Sequence, residues 1–404
     1  MANTTTTSIL AIDLLRKGLV VRRSDGFQRY ALSIQYHGGS NRLLGFSYQH
    51  SQEDEQKEEV VDSSSSSLLL CRPRSVEGRL RQALTSTFGS SETETNWENI
   101  QVSSRTDRGV HAWKNTLHVD INTATTTSTH RDGRNNNNNH SSSNKNSSIL
   151  QKLTRGLNFH LARQDQPKQP QSSRNHKQHH HHHSYSGCND IRILSATVAP
   201  LFMRNDFHLV DPSQPSILDW NARFSATERT YVYRILVWHD DNNINHKTEM
   251  MTGLPFEWDR SWQIWSEHFH THKMQHAAQY LMGTHDYSSF RGARCQRQSP
   301  VVTIHSIDIQ CSPYIGLGWN IPTIIPGRTT TPPSLVTITL TGNAFLYRQV
   351  RNMVGCLVEV AKGKLRPDDI PILLHAQKRP SSCYTTAPAH GLFLVDVQHG
   401  NFVF

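Results

Sequence analysis

The chain holds 404 residues, with 42 Lys and Arg against 33 Asp and Glu, so its formal charge is +9 before any contribution from 25 histidines. No stretch approaches the ~20 consecutive apolar residues of a membrane-spanning helix. Its 6 cysteines are scattered without a C-x-x-C pair, which excludes a disulfide scaffold or zinc ribbon and fits a reducing, intracellular setting.

The sequence pI of about 9.3 points to polyanionic partners. The apolar deficit, a mean hydropathy of −0.59, is concentrated in polar runs. Residues 1–25 form an N-terminal extension whose first 23 residues carry Arg16, Lys17, Arg22 and Arg23 against one acid, Asp13. Its apolar run is interrupted and no small-residue cleavage site follows, so no secretory signal is expected, while nucleus, cytoplasm, mitochondrion and plastid all stay open. Arg29–Tyr36 alternates as a strand ending at Gly38-Gly39. Residues 51–74, charged and then serine-rich, form an expected disordered insertion. Ser75 reads as the N-cap of a helix with Val76, Leu80, Ala83, Leu84 and Phe88 on one face, stopped by Gly89. Ile100–Ser104 and Asn115–Ile121 read as strands flanking a tight loop. Residues 123–148, with their Asn run, and 164–186, with His179–His183, are two more expected disordered insertions. Ile191–Val198 and Tyr231–Val237 are strand-like, and His276–Met282 ends a helix stopped by Gly283. Val301–Ile309 and Leu335–Leu340 alternate as strands around a polar insertion at 316–334. Phe345–Lys362 carries an apolar stripe of helical spacing. Strand–helix–strand–strand early and strand–strand–helix–strand late give an α+β fold of two similar halves, with helices packed on a mostly antiparallel sheet.

Three segments carry candidate chemistry. In Ser104-Arg105-Thr106-Asp107-Arg108-Gly109-Val110-His111-Ala112, an Asp lies between two arginines in a glycine-bearing loop. Positive neighbours favour the carboxylate form, which suits a nucleophile or a partner to a developing cation better than a general acid. Taken alone, Asp107 reads more readily as a turn residue paired to an adjacent Arg. In Ala222–Arg234, Arg223, Arg229 and Arg234 interleave with Phe224, Tyr231 and Tyr233, a mixture that grips phosphates and stacks on exposed bases, or simply packs across strands. In Gly342–Gly355, Arg351 lies beside the apolar stripe, placed either to hold an interior carboxylate or to snorkel to the surface. The five-His run reads as a solvated loop rather than a metal site, since metal ligands need fixed positions and supporting partners.

Together these segments resemble one family, the TruA-type tRNA pseudouridine synthases. R-T-D-R-G-V-H-A around Asp107 resembles the family's catalytic loop, and A-R-F-S-A-T-E-R-T-Y-V-Y-R resembles its second block. G-T-H-D-Y-S-S-F-R (Gly283–Arg291) with Cys295-Gln296 and Ser299-Pro300 resembles the third. N-A-F-L-Y-R-Q-V-R-N-M-V-G (Asn343–Gly355) resembles the helical block and A-P-A-H-G-L-F-L-V-D-V (Ala387–Val397) the closing strand. The resemblance implies two ferredoxin-like (RRM-like) α/β halves, 26–200 and 201–404, with joined, mostly antiparallel sheets and a basic cleft between them. It implies isomerisation of uridine to pseudouridine in the anticodon arm of tRNA, at positions 38 to 40, without cofactor or metal. It implies tRNA as partner, no membrane, and a homodimer. Carried over residue by residue, Asp107 is the nucleophile and Tyr231 stacks on the target uracil and is a candidate for handling its C5 proton. Arg351 pairs with Asp107, and Arg105 holds the flipped nucleotide's place. Three departures mark this chain: Phe207-His208 is split from Ala222-Arg223, Arg108 stands where bacterial members have Ala, and the polar insertions interrupt the blocks. Two other readings compete with this one. A catalytically silent RNA-binding protein could share the scaffold, and a glycosidic-bond hydrolase would need a second carboxylate across the cleft.

Overall fold

The structure is a computed structural model that describes residues 26–39, 43, 45–46, 75–89, 95–124, 142–164, 190–202, 218–238, 255–314, 324–325, 328–329, 333–378, 383–400 and 402–403. The extension 1–25, the insertion 51–74 and most of 123–148 and 164–186, including His179–His183, lie outside the described residues.

Strand β1 (Phe27–Tyr36) is buried on both faces: Tyr30, Leu32 and Ile34 enter the main apolar core, while Arg29 and Ala31 face Trp220. Helix α1 (Val76–Phe88) starts where expected, because the Ser75 hydroxyl accepts from the Gly78 N–H at 3.0 Å. Strands β2 (Trp97–Val102) and β3 (His111–Asn122) pair antiparallel. Helix α2 (Ser142–Gln151) runs through a π turn at Lys152–Gly156 into α3 (Leu157–Arg163), and β4 (Ile191–Val198) follows. A short pair, β5 (Leu201–Phe202) and β6 (Leu218–Asp219), leads to β7 (Glu228–Trp238), β8 (Trp262–Trp265) and α4 (Thr271–Gln279). Then come β9 (Gly283–Asp286), β10 (Val301–Pro313), the small hairpin β11 (Ile324–Ile325) and β12 (Arg328–Thr329), and β13 (Ser334–Gly342). Helices α5 (Gln349–Ala361) and α6 (Asp369–His375) precede the last strand, β14 (Leu392–Gln398).

The fold is α+β, built on one mixed, mostly antiparallel, unclosed sheet of 10 strands among the described residues, in the order β4-β1-β3-β14-β7-β13-β10-β9. Only the β3/β14 and β7/β8 pairs are parallel. One edge of β3 has two successive neighbours. β2 pairs along Leu117–Ile121, and β14 takes over at His111 and Ala112. The loop that joins β2 to β3 therefore emerges at the gap where one neighbour leaves and the other enters.

Three expectations need correction. The span 123–148 is not all insertion, since α2 begins at Ser142. The polar insertion 316–334 contains the β11/β12 hairpin and the first residue of β13. The helix expected from Phe345 begins at Gln349, because Arg348 adopts a left-handed conformation (φ 59°) that breaks the helical path. Tyr347 and Arg351 are therefore not neighbours on one helix face. Helix α5 is also buried all round except at Arg351, so it is a central helix rather than a surface one.

Candidate active site

The Asp107 loop is held from below by polar side chains of the strands that carry it. Tyr36 Oη lies 2.7 Å from Thr106 Oγ1, the Asn115 amide donates to the Ser104 carbonyl at 2.8 Å, and Ser103 Oγ donates to Asn115 Oδ1 at 2.9 Å. A neighbouring loop closes over it: Phe46 N–H donates to the Thr106 carbonyl, and Gly45, at φ +90°, leaves no room for a side chain against Thr106, Asp107 and Arg108. The loop is thus held from below and from above, and the Asp107 side chain keeps 21% of its surface exposed.

Arg351 reaches it from α5. One terminal nitrogen of the guanidinium donates to Asp107 Oδ2 at 3.0 Å, and Nε donates to the Ala387 carbonyl at 2.7 Å. Two fixed acceptors orient the planar group, so the carboxylate is held at a set angle. Asp107 Oδ1 accepts no hydrogen bond from the described residues. Tyr231, on β7, is buried and its Oη lies 2.8 Å from Ser104 Oγ, while its ring meets Phe345 edge-on at 5.1 Å. Burial raises the Tyr231 phenol above its usual value; Asp107 pushes it the same way, while the Ser104 hydrogen bond and Arg229 oppose the shift.

Asp107, Tyr231 and Arg351 line one cavity of about 680 Å³. Its walls carry Arg105, Arg223, Arg229, Arg294, Arg297, Arg348 and Arg351, and Asp107 is its one carboxylate among the described residues. Burial lowers the guanidinium values of Arg223, Arg229 and Arg297, and Arg105 adds to the effect on Arg223. These cations repel one another across the empty space, which favours an anion entering it. Arg105 lines the same cavity as Asp107, Tyr231 and Arg351, but it is exposed and makes no ion pair with a described residue.

Several contributors were not legible as such. Arg229 donates to the carbonyls of Ala226, Asn343, Ser103 and Arg223, tying three cavity walls together. Phe345 belongs to the cavity because the helix starts late. Arg294 and Arg297 sit in R-G-A-R-C-Q-R, an acid-free run with arginine every third residue that was visible in the sequence. Among the described residues no group of three or more His, Cys, Asp or Glu is placed to hold a metal ion. No described helix is long and apolar enough to cross a membrane.

An arginine-lined cavity with one oriented carboxylate and a buried tyrosine suits an anionic strand that presents one planar ring to the carboxylate. A family model described as tRNA pseudouridine synthase matches residues 277–399. The chain is 31% identical over 301 residues to the human protein named tRNA pseudouridine synthase-like 1, covering 74% of this chain and 75% of that one. It is 27% identical over 326 residues to tRNA pseudouridine synthase A of Sinorhizobium fredii, covering 80% and 90%. Against the enzyme of the same name from Xanthobacter autotrophicus it is 36% identical over 180 residues, 45% of this chain and 60% of that one. The chain belongs to the TruA-type tRNA pseudouridine synthase family, whose members are isomerases.

Proposed function

We propose that this chain converts uridine to pseudouridine in the anticodon stem-loop of tRNA, at positions 38 to 40, with Asp107 as nucleophile and without cofactor or metal. The observation that carries the reading is the Asp107–Arg351 pair, set beside Tyr231 in an arginine-walled cavity. The reaction breaks N1–C1′, turns the uracil and joins C5 to C1′; the proton lost from C5 is balanced by one gained at N1. Nothing is oxidised or hydrolysed, so the chemistry itself calls for no redox group. Attack on sugar or base starts from Oδ1, the oxygen that the Arg351 pair leaves open.

Of the two roles that the family resemblance gives Tyr231, packing on the uracil is the better supported, because burial opposes the phenolate that would take the C5 proton. Arg105, exposed on the cavity wall, fills the place the target nucleotide vacates. Flipping that nucleotide costs a few kcal/mol, which the cavity's aromatic and cationic walls offset. The ferredoxin-like halves 26–200 and 201–404, the basic cleft between them and a homodimer belong to the same proposal. Among the described residues Asp107 is the cavity's one carboxylate, which weighs against a paired-acid hydrolase.

The test uses unmodified tRNA tritiated at uridine C5. Wild type is expected to release tritium to water and Asp107→Asn to release none. Release by both proteins would remove Asp107 from the chemistry. Release of free uracil would make the enzyme a hydrolase.

A further inference from the structure

The α2–α3 segment has a face that the cavity does not use. From Lys145 to Gln164 the sequence carries Lys145, Lys152, Arg155 and Arg163 and neither Asp nor Glu. Buried positions Ile149, Leu153, Leu157 and Leu161 recur every four residues, and exposed positions Gln151, Arg155, Phe159 and Arg163 recur with the same period, two residues later. On a helix of 3.6 residues per turn a four-residue repeat drifts by about 40° per step. The π turn, closed by the Leu157 N–H on the Lys152 carbonyl, absorbs that drift. It keeps one apolar stripe on the sheet and one basic, aromatic stripe in solvent.

Phe159 is 46% exposed on that outer stripe. The Arg163 guanidinium sits over its ring at 4.0 Å, and the His160 ring meets it edge-on at 5.3 Å. Arg155 and Lys152 make no ion pair with a described residue. An exposed ring stacked with a planar cation, flanked by unpaired cations on an acid-free helix, is complementary to phosphates with an unpaired base between them. Helix α3 packs against β4, the outer strand of the sheet, with β1 between it and the β3 strand that follows Asp107. Two strand spacings, about 10 Å, and the helix layer thus separate this face from β3.

We infer that the outer face of α2–α3 is a second RNA contact, which grips the same tRNA outside the cavity through Lys152, Arg155, Arg163 and Phe159. The inference rests on tRNA as the substrate class and not on the role of Asp107. It makes affinity depend on the tRNA body as well as on the anticodon arm.

The experiment compares the full chain with the Arg155→Ala/Phe159→Ala double variant, both side chains being exposed. Equilibrium binding is read over a salt series with full-length unmodified tRNA and with the isolated anticodon stem-loop. The double variant is expected to bind full-length tRNA about tenfold more weakly, with a salt slope shallower by roughly one. Its affinity for the stem-loop and its melting temperature should match wild type. Unchanged affinity for full-length tRNA, or an equal loss on both RNAs, overturns the inference, as does a wild type that binds no tRNA. Binding is read without turnover, so a wild type that shows the affinity difference but releases no tritium sinks the catalytic reading alone.

Discussion

Arg351 is the residue on which the geometry of Asp107 turns. Its Nε is committed to the Ala387 carbonyl, which leaves a terminal nitrogen aimed at Oδ2. Lysine at 351 keeps the charge but cannot hold both acceptors at once from a planar fork. Arg351→Lys is therefore expected to lower kcat by about 10²-fold, the effect of a small misplacement of a reacting group, with tRNA affinity nearly unchanged. Single-turnover and binding measurements on one preparation check this; equal losses in both would mean that Arg351 mainly binds RNA. At this scale the sequence was informative about identity and poor about angle. Asp107 and Arg351 lie 244 positions apart, and residue types alone left both open to bland readings, a turn Asp and a snorkelling Arg. Their pairing followed from the resemblance, whereas the Ala387 carbonyl that orients Arg351 is a backbone atom that no side-chain pattern announces.

At the scale of elements, α5 shows why the helical block reads as it does. The helix is buried on every side but one, so each approach by a neighbour needs a gap in its surface. Gly355 provides the closest: a Cβ there would lie 1.9 Å from the Thr385 carbonyl. The stretch from Thr385 to Ala387 presses against the helix at that point, and the Ala387 N–H also donates to the Arg351 carbonyl at 3.1 Å. Gly355→Ala must push this stretch away, and with it the acceptor that orients Arg351. The substitution is expected to cost about 1–3 kcal/mol of stability, as overpacking does, and to lower kcat at temperatures where the protein is still folded. A thermal melt with turnover measured well below the transition separates the two effects; full activity in a destabilised variant would detach the stretch from catalysis. Most strands of the main sheet and α1 were readable because alternation and the Ser75 and Gly89 signals are local. The late start of α5 was not, because Leu346 and Val350 keep helical spacing across Arg348, whose left-handed backbone leaves no mark in the apolar pattern. Helix α2 was hidden by its own composition: its first residues continue a Ser- and Asn-rich run, and its apolar stripe begins only at Ile149.

Strand β14 joins β3 to β7, and buried histidines fasten β3 to segments later in the chain. His111, at the start of β3, places Nε2 2.9 Å from the Asp259 carbonyl and 3.0 Å from the His390 carbonyl. His118, further along β3, accepts from the Ala222 N–H at 3.1 Å. His399, just after β14, lies 2.7 Å from Thr116 Oγ1 on β3. Each contact crosses from β3 to a segment that follows Trp220 in the chain. Burial pulls all three below the ordinary value of 6.5, His111 and His399 to about 4, and Arg29 adds to the effect on His118. The folded protein therefore holds these rings neutral where the unfolded chain would protonate them. Between pH 6.5 and about 4 the unfolded state binds more protons, so stability falls as pH falls through that window and is fully present above it. The melting temperature is expected to be flat near pH 7.5 and to drop steeply below pH 6.5. His118→Asn should reduce the slope at some cost in stability at pH 7.5, since an amide can accept from Ala222 N–H without titrating. A wild-type melt independent of pH down to about 4, the value to which burial pulls His111 and His399, would show that the histidines protonate without loosening the join. Since β14 carries Leu392 into the cavity wall and neighbours both β3 and Tyr231-bearing β7, loss of activity should accompany the melt rather than precede it. The histidines that fasten β3 thus tie the placement of Asp107 opposite Arg351 to the pH range over which the fold is stable.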